Sequence, residues 1–179
     1  MRTVPVTHRT SLLMLGGAFA LAAQPVPADS SLTFGGRVLA GTCDVHADDA
    51  AKSVPLPTLR ADELSSFKEA PVPASETPFQ LRLINCRGVT KAHLDFSGTP
   101  AGSGSAQYAN TGTASGVAVH LVEASNGKVI NASGHRITLV IDGETTKTFD
   151  AKAYYYRLGT QDLKQGLVDT TAIVTVQYD

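Results

Sequence analysis

The side chains most able to do chemistry in this 179-residue chain are scattered. His46, His93, His120 and His135 stand far apart, with no H-x-H or H-E-x-x-H pairing. A zinc or copper centre needs several ligands converging on one point, so these histidines read as polar strand and loop residues. Asp48-Asp49 and Asp62-Glu63 are adjacent carboxylates of the kind that can share acid–base work. Their setting in a loop and a helical turn makes solvated surface the simpler reading. Ser103 and Ser105 lie in a glycine-rich run that fits neither the G-x-S-x-G elbow of a nucleophilic serine nor a phosphate-cradling loop. No nucleophile, base and orienting group come together. The expectation is therefore a protein that is not an enzyme and uses no metal, cofactor or small-molecule substrate.

Cys43 and Cys86 are the two cysteines. Whether they pair depends on the compartment, and the N-terminus speaks to that. Arg2, His8 and Arg9 precede an apolar run of 13 residues, Ser11 to Ala23, too short to span a bilayer and followed by small residues. Residues 1–22 therefore read as a cleaved secretory leader. Ala20-Leu21-Ala22 is the better cleavage site, and Val26-Pro27-Ala28 the alternative. In an oxidising compartment an isolated pair is most simply a disulfide, the alternative being two separate buried thiols. Loss of Arg2 and Arg9 leaves 13 basic against 16 acidic residues, which argues against a nucleic-acid binder.

The elements that must carry these residues are nearly all strands. Period-two alternation marks residues 34–45, 79–86, 91–98, 116–125, 136–143, 147–158 and 169–179. Asn126-Gly127 and Asp142-Gly143 are hairpin-type dipeptides. Residues 98–116 are small, polar and glycine-rich, a long flexible loop by composition. Residues 59–67 hold the one plausible helical turn, with Pro71, Pro73 and Pro78 preventing its extension. Short strands at regular spacing without βαβ alternation predict an all-β sandwich of a single domain. Its last strand runs straight to Asp179, leaving no sequence to fold back as a closing edge. The front of the chain instead carries a spare alternating stretch, AQPVPADSSLTF, with Val26, Ala28, Ser30, Leu32 and Phe34 on one face.

These residues resemble the pilin subunits of chaperone–usher fimbriae, of the type 1 and P-like kind, from Leu32 to Asp179. Phe34-x-Gly36-x-Val38 and Cys43-x-Val45 look like the family's first strand, and Val54-x-Leu56-x-x-Leu59 like the segment after it. Phe79-x-Leu81-x-Leu83-x-x-Cys86 looks like the strand with the second cysteine, and Gly116-Val117-x-Val119-x-Leu121 before Asn126-Gly127 like the central hairpin. Gly166, fourteenth from the end, and the alternation Val174, Val176, penultimate Tyr178 complete the likeness. Pro57, where many relatives have glycine, and Ala153-Tyr154-Tyr155, in place of the customary Ala-Arg-Tyr, depart from it.

The resemblance implies an incomplete immunoglobulin-like β-sandwich lacking its last strand, with a pilin domain over residues 35–179 and a donor-strand extension over 23–34. It implies a groove whose edge is the C-terminal strand, with Gly166, Val174, Val176 and Tyr178. A periplasmic chaperone would fill that groove first, and the arm of a neighbouring pilin subunit would replace it at an outer-membrane usher. In the arm, Leu32 and Phe34 would enter large pockets, Ala28 or Ser30 a tight one, and Val26 would enter last; Pro25 and Pro27 weaken the ladder there. The expected role is a structural subunit of an extracellular fimbrium that supports adhesion. The alternative is a single-domain adhesive subunit that binds a host receptor or matrix.

Overall fold

The computed structural model describes residues 37, 40–159 and 161–179. The leader, the arm and its five inward positions lie outside the described residues.

Alternating apolar side chains need a face to bury, and here two sheets supply it to each other. In chain order the elements are β1 (Thr42–Val45), α1 (Ala47–Ala50), α2 (Ala61–Ser65), β2 (Ala70–Pro71) and a 3-10 turn (Pro73–Ser75). Then come β3 (Thr77–Arg87), β4 (Lys91–Gly98), β5 (Tyr108–Ala109), β6 (Val117–Glu123), β7 (His135–Val140), β8 (Lys147–Arg157) and β9 (Ala172–Tyr178). The larger sheet runs β1-β3-β8-β6-β5, with β2 also on β8, and the smaller runs β7-β4-β9. All pairings are antiparallel; in the small sheet Leu94 stands between Ile137 and Val176.

Between the sheets lie Leu94, Phe96, Val119, Leu121, Ile130 and Phe149. The Phe96 and Phe149 rings meet at 5.7 Å and 58°, a tilted contact that aromatic quadrupoles favour. Cys43 and Cys86 form a disulfide joining β1 to β3 beneath a second cluster with Leu83 and Ile141. The bond closes a 43-residue separation. Cys43→Ser is expected to destabilise the fold by about 2–4 kcal/mol, most of it through the freed unfolded chain. Thermal melting with and without reductant checks this: the variant should melt where the reduced protein does.

Two expectations change. Residues 98–116 are tied into the core. Tyr108 is fully buried within them, β5 pairs with β6, and Ala106 C=O accepts from Ala132 N–H at 2.9 Å. Gly98 is required there, because a Cβ would come within 2.6 Å of the Tyr108 ring. One aromatic in a run of small residues makes no periodic signal, which is why composition alone reads as loop. Burial without a hydrogen-bond partner pushes the pKa of the Tyr108 hydroxyl up to about 12.

The second change concerns the turn dipeptides. Asn126-Gly127 does close a hairpin, returning β6 to the bridge between Val122 and Val129. Asp142-Gly143 has both residues in the left-handed region, φ 40° and 85°, yet passes the chain from the small sheet to the large one. A dipeptide sets the local reversal, and the packing of both sheets decides where the next strand goes.

Candidate functional site

Among the described residues the sandwich is open on one side. A groove of about 940 Å³ runs between β9 and the stretch that follows β1. Its floor includes Phe79 and Leu81 of β3, which alternation points inward but which stay only half-buried. A finished sandwich would cover them. Buried Leu121 and Phe96 and half-buried Tyr155 line the same channel.

β9 forms one wall. Val174, Val176 and Tyr178 face inward and are half-buried, while Ile173, Thr175 and Gln177 are exposed. Among the described strands β9 pairs with β4 alone. Asp179 N–H donates to Lys91 C=O at 3.0 Å, so the backbone of Asp179 faces β4. Backbone groups alternate along an antiparallel ladder, which directs the N–H groups of Val174, Val176 and Tyr178 to the other edge. The same residues thus offer apolar side chains to the groove or the core beside it and, among the described residues, free donors to its rim.

Tyr178 has a further part. Its hydroxyl donates to Cys43 C=O at 2.8 Å, fastening β9 to β1 at the disulfide end. Gly166 lies outside β9, in the loop that leads to Ala172. A Cβ on Gly166 would stand 2.5 Å from the Ala114 backbone nitrogen, so the residue is a close approach between two loops and not an edge position. The grouping of Gly166 with the C-terminal strand is corrected accordingly.

The opposite wall begins at α1, where the reading of Asp48-Asp49 as solvated surface fails for Asp49. Its side chain is fully buried and accepts from Arg82 N–H at 2.9 Å, from Arg82 Nε at 2.8 Å, and from Lys52 Nζ. His46 N–H donates to Arg82 C=O at 2.9 Å. α1 therefore ends the β1–β3 ladder by supplying a carboxylate where another strand residue would have been. Arg82, ahead of the burial that opposes it, holds the Asp49 carboxyl well below the usual carboxylate range. Sequence could not reveal this, because the partners are 33 residues apart and nothing local marks them.

The histidines do not converge, and among the described residues no group of three or more His, Cys, Asp or Glu could hold a metal. His120 differs from the others in being buried, on the outer face of β6, with the Tyr156 ring at 5.5 Å and the Tyr154 ring at 6.4 Å. Burial lowers its pKa. The groove is a channel with apolar side chains on its floor and, among the described residues, unpaired ladder donors along one wall, geometry suited to receiving an extended segment.

Comparison with known proteins gives a consistent result. The model of the family described as fimbrial protein matches residues 32–179. The chain is 32% identical to the minor fimbrial subunit HifD of Haemophilus influenzae, over 96% of this chain and 82% of that one. It is 29% identical to the S-fimbrial adhesin protein SfaS of Escherichia coli, over 89% and 90%. In fold it is similar to the P pilus rod subunit PapA, with a TM-score of 0.64 at 15% identity over 76% of this chain and 99% of that one. A subunit from the structure of a chaperone–usher pilus gives a TM-score of 0.60 at 15% identity, over 88% and 100%.

Proposed function

This chain belongs to the fimbrial protein family, and from its place there as a structural pilus subunit we propose that it polymerises by strand donation. The open groove of one subunit receives the arm of the next, residues 23–34. The observation that carries this reading is the channel itself: inward-facing Phe79 and Leu81 left half-covered opposite a strand whose outer edge has, among the described residues, unpaired donors. An extended arm with Leu32, Phe34 and smaller residues on one face supplies what both need. Ladder hydrogen bonds then give affinity, and alternate side chains give register.

An uncovered core with an open strand edge invites aggregation. A periplasmic chaperone is the partner that covers it during export, and an outer-membrane usher the place where the neighbouring arm takes over. The assembled product is an extracellular fimbrium at the cell surface. Its work is mechanical and adhesive, and no catalytic step enters.

A second reading draws on the similarity to the S-fimbrial adhesin protein: the subunit itself touches a host receptor or matrix. Binding of assembled fimbriae to a receptor panel, lost on replacing this subunit alone, would establish that role.

The strand-donation reading is tested with a synthetic peptide of residues 23–34. Added to the chain lacking its own arm, it should raise the melting temperature saturably. A peptide with Leu32→Asp and Phe34→Asp should not. Burial of Leu32 and Phe34 contributes about 1.5–3 kcal/mol each, so their loss is easily read. Equal stabilisation by both peptides would refute the reading.

A further inference from the structure

The chain between β8 and β9 forms no helix or strand among its described residues, yet Val168 to Thr171 at its end line the groove. The Val168 side chain packs, half-buried, against the main core. A stretch of groove wall that lies outside any ladder needs support of another kind.

The loop after β5 provides it. Asn110 follows Ala109, which pairs with Ala118 of β6, and the Tyr108 before it is fully buried. The Asn110 carboxamide is thus mounted on the core. Its Oδ1 accepts from Asp169 N–H at 2.8 Å and from Gly112 N–H at 2.9 Å. Its Nδ2 donates to Ala114 C=O at 2.7 Å and, more weakly, to Leu167 C=O at 3.4 Å. A carboxamide has two donors and two acceptor positions, and all four are in use.

The bonds to Leu167 and Asp169 grip the backbone on either side of Val168. Neighbouring bonds add to that grip: Leu167 N–H donates to Thr113 Oγ1 at 2.9 Å, and Thr111 N–H to Asp169 C=O at 2.8 Å. The two loops meet backbone to backbone, since a Cβ on Gly112 would stand 2.3 Å from the Leu167 carbonyl oxygen.

We propose that Asn110 is a positioning residue of the groove: by holding Leu167 and Asp169 it sets Val168 and the residues leading into β9 as a finished wall before any strand arrives. The inference rests on the strand-donation reading. Its physical content is preorganisation, because a wall already ordered in the free subunit does not have to lose that entropy on binding.

Fluorescence anisotropy of a labelled peptide of residues 23–34 with the full chain, held dilute enough to stay monomeric, tests this. Asn110→Ala should lower peptide affinity about tenfold, the equivalent of ordering roughly one more backbone residue on binding. Ser115→Ala is the control. It removes a bond of the same loops, Ser115 Oγ to Asp162 C=O at 2.8 Å, that does not touch residues 167–169, and it should bind as the parent does. In the free chain, amide exchange at Asp169 should quicken about tenfold in Asn110→Ala, with Leu94 and Leu121 unchanged.

If Asn110→Ala does not fold, Thr113→Val carries the test. It removes only the acceptor of Leu167 N–H and should weaken the peptide about threefold, as loss of one hydrogen bond does. Parent-like affinity of folded Asn110→Ala, or of Thr113→Val in its place, overturns the inference and leaves strand donation standing. An equal loss in Ser115→Ala, or unchanged exchange at Asp169, does the same. A parent chain that binds no peptide removes both.

Discussion

A chain lacking residues 23–32 should accumulate as monomer and yield no heat-stable oligomers, whereas the intact chain should give a ladder of them on unboiled gels. The effect should be all-or-none, because on the strand-donation reading the deletion removes the donor and spares the acceptor. β9, the groove floor and the Tyr178 contact to Cys43 all lie elsewhere in the chain. The truncated subunit should fold as well as the parent monomer and should still accept an arm from outside. Mixing it with intact chains should therefore end growing polymers, and the mean length should fall as its share rises. Heat-stable oligomers formed by the truncated chain alone would contradict strand donation by this arm.

Asp49→Ala should destabilise the subunit by about 3–4 kcal/mol, measured by denaturant unfolding, because it leaves Arg82 and Lys52 facing a buried, emptied position. The lower part of the usual range applies, since both cations retain some contact with water. The loss also includes the cap on Arg82 N–H, so the end of the β1–β3 ladder should exchange faster.

The same pair sets a pH dependence. The Asp49 carboxyl is lowered in the folded state from an ordinary value of 3.8. The unfolded chain therefore takes up its proton first as acid is added. The stability that Asp49 contributes is complete above about pH 4–5 and is lost as the pH falls through the lowered folded value. Asp49→Asn should flatten that acid limb. An unchanged limb would place the acid sensitivity in other carboxylates.

Much of the fold is legible in the sequence because period two is a local property. The alternation over 91–98 predicts a strand, and β4 has the same bounds. The strands predicted at 116–125, 136–143 and 147–158 are β6, β7 and β8 with ends moved by a few residues. The helical turn predicted at 59–67 is α2, where Glu63 accepts from Arg60 N–H at 2.6 Å. The disulfide expected from two cysteines behind an export leader is present.

What is not legible depends on residues distant in sequence. Asp49 looks like any surface acid until β3 brings Arg82 beside it. His120 looks like a polar strand residue until Tyr154 and Tyr156 roof it. Gly166 looks like part of the last strand, and its meaning comes from Ala114, which only the fold puts next to it.

By itself the sequence determined which stretches are strands, which faces they bury, and that the two cysteines could bond, since alternation and turn residues are written in neighbouring positions. The tertiary structure alone decided which edges meet and which stay open. Pairing between distant strands is chosen by the whole core at once, and so is the place where that core remains uncovered.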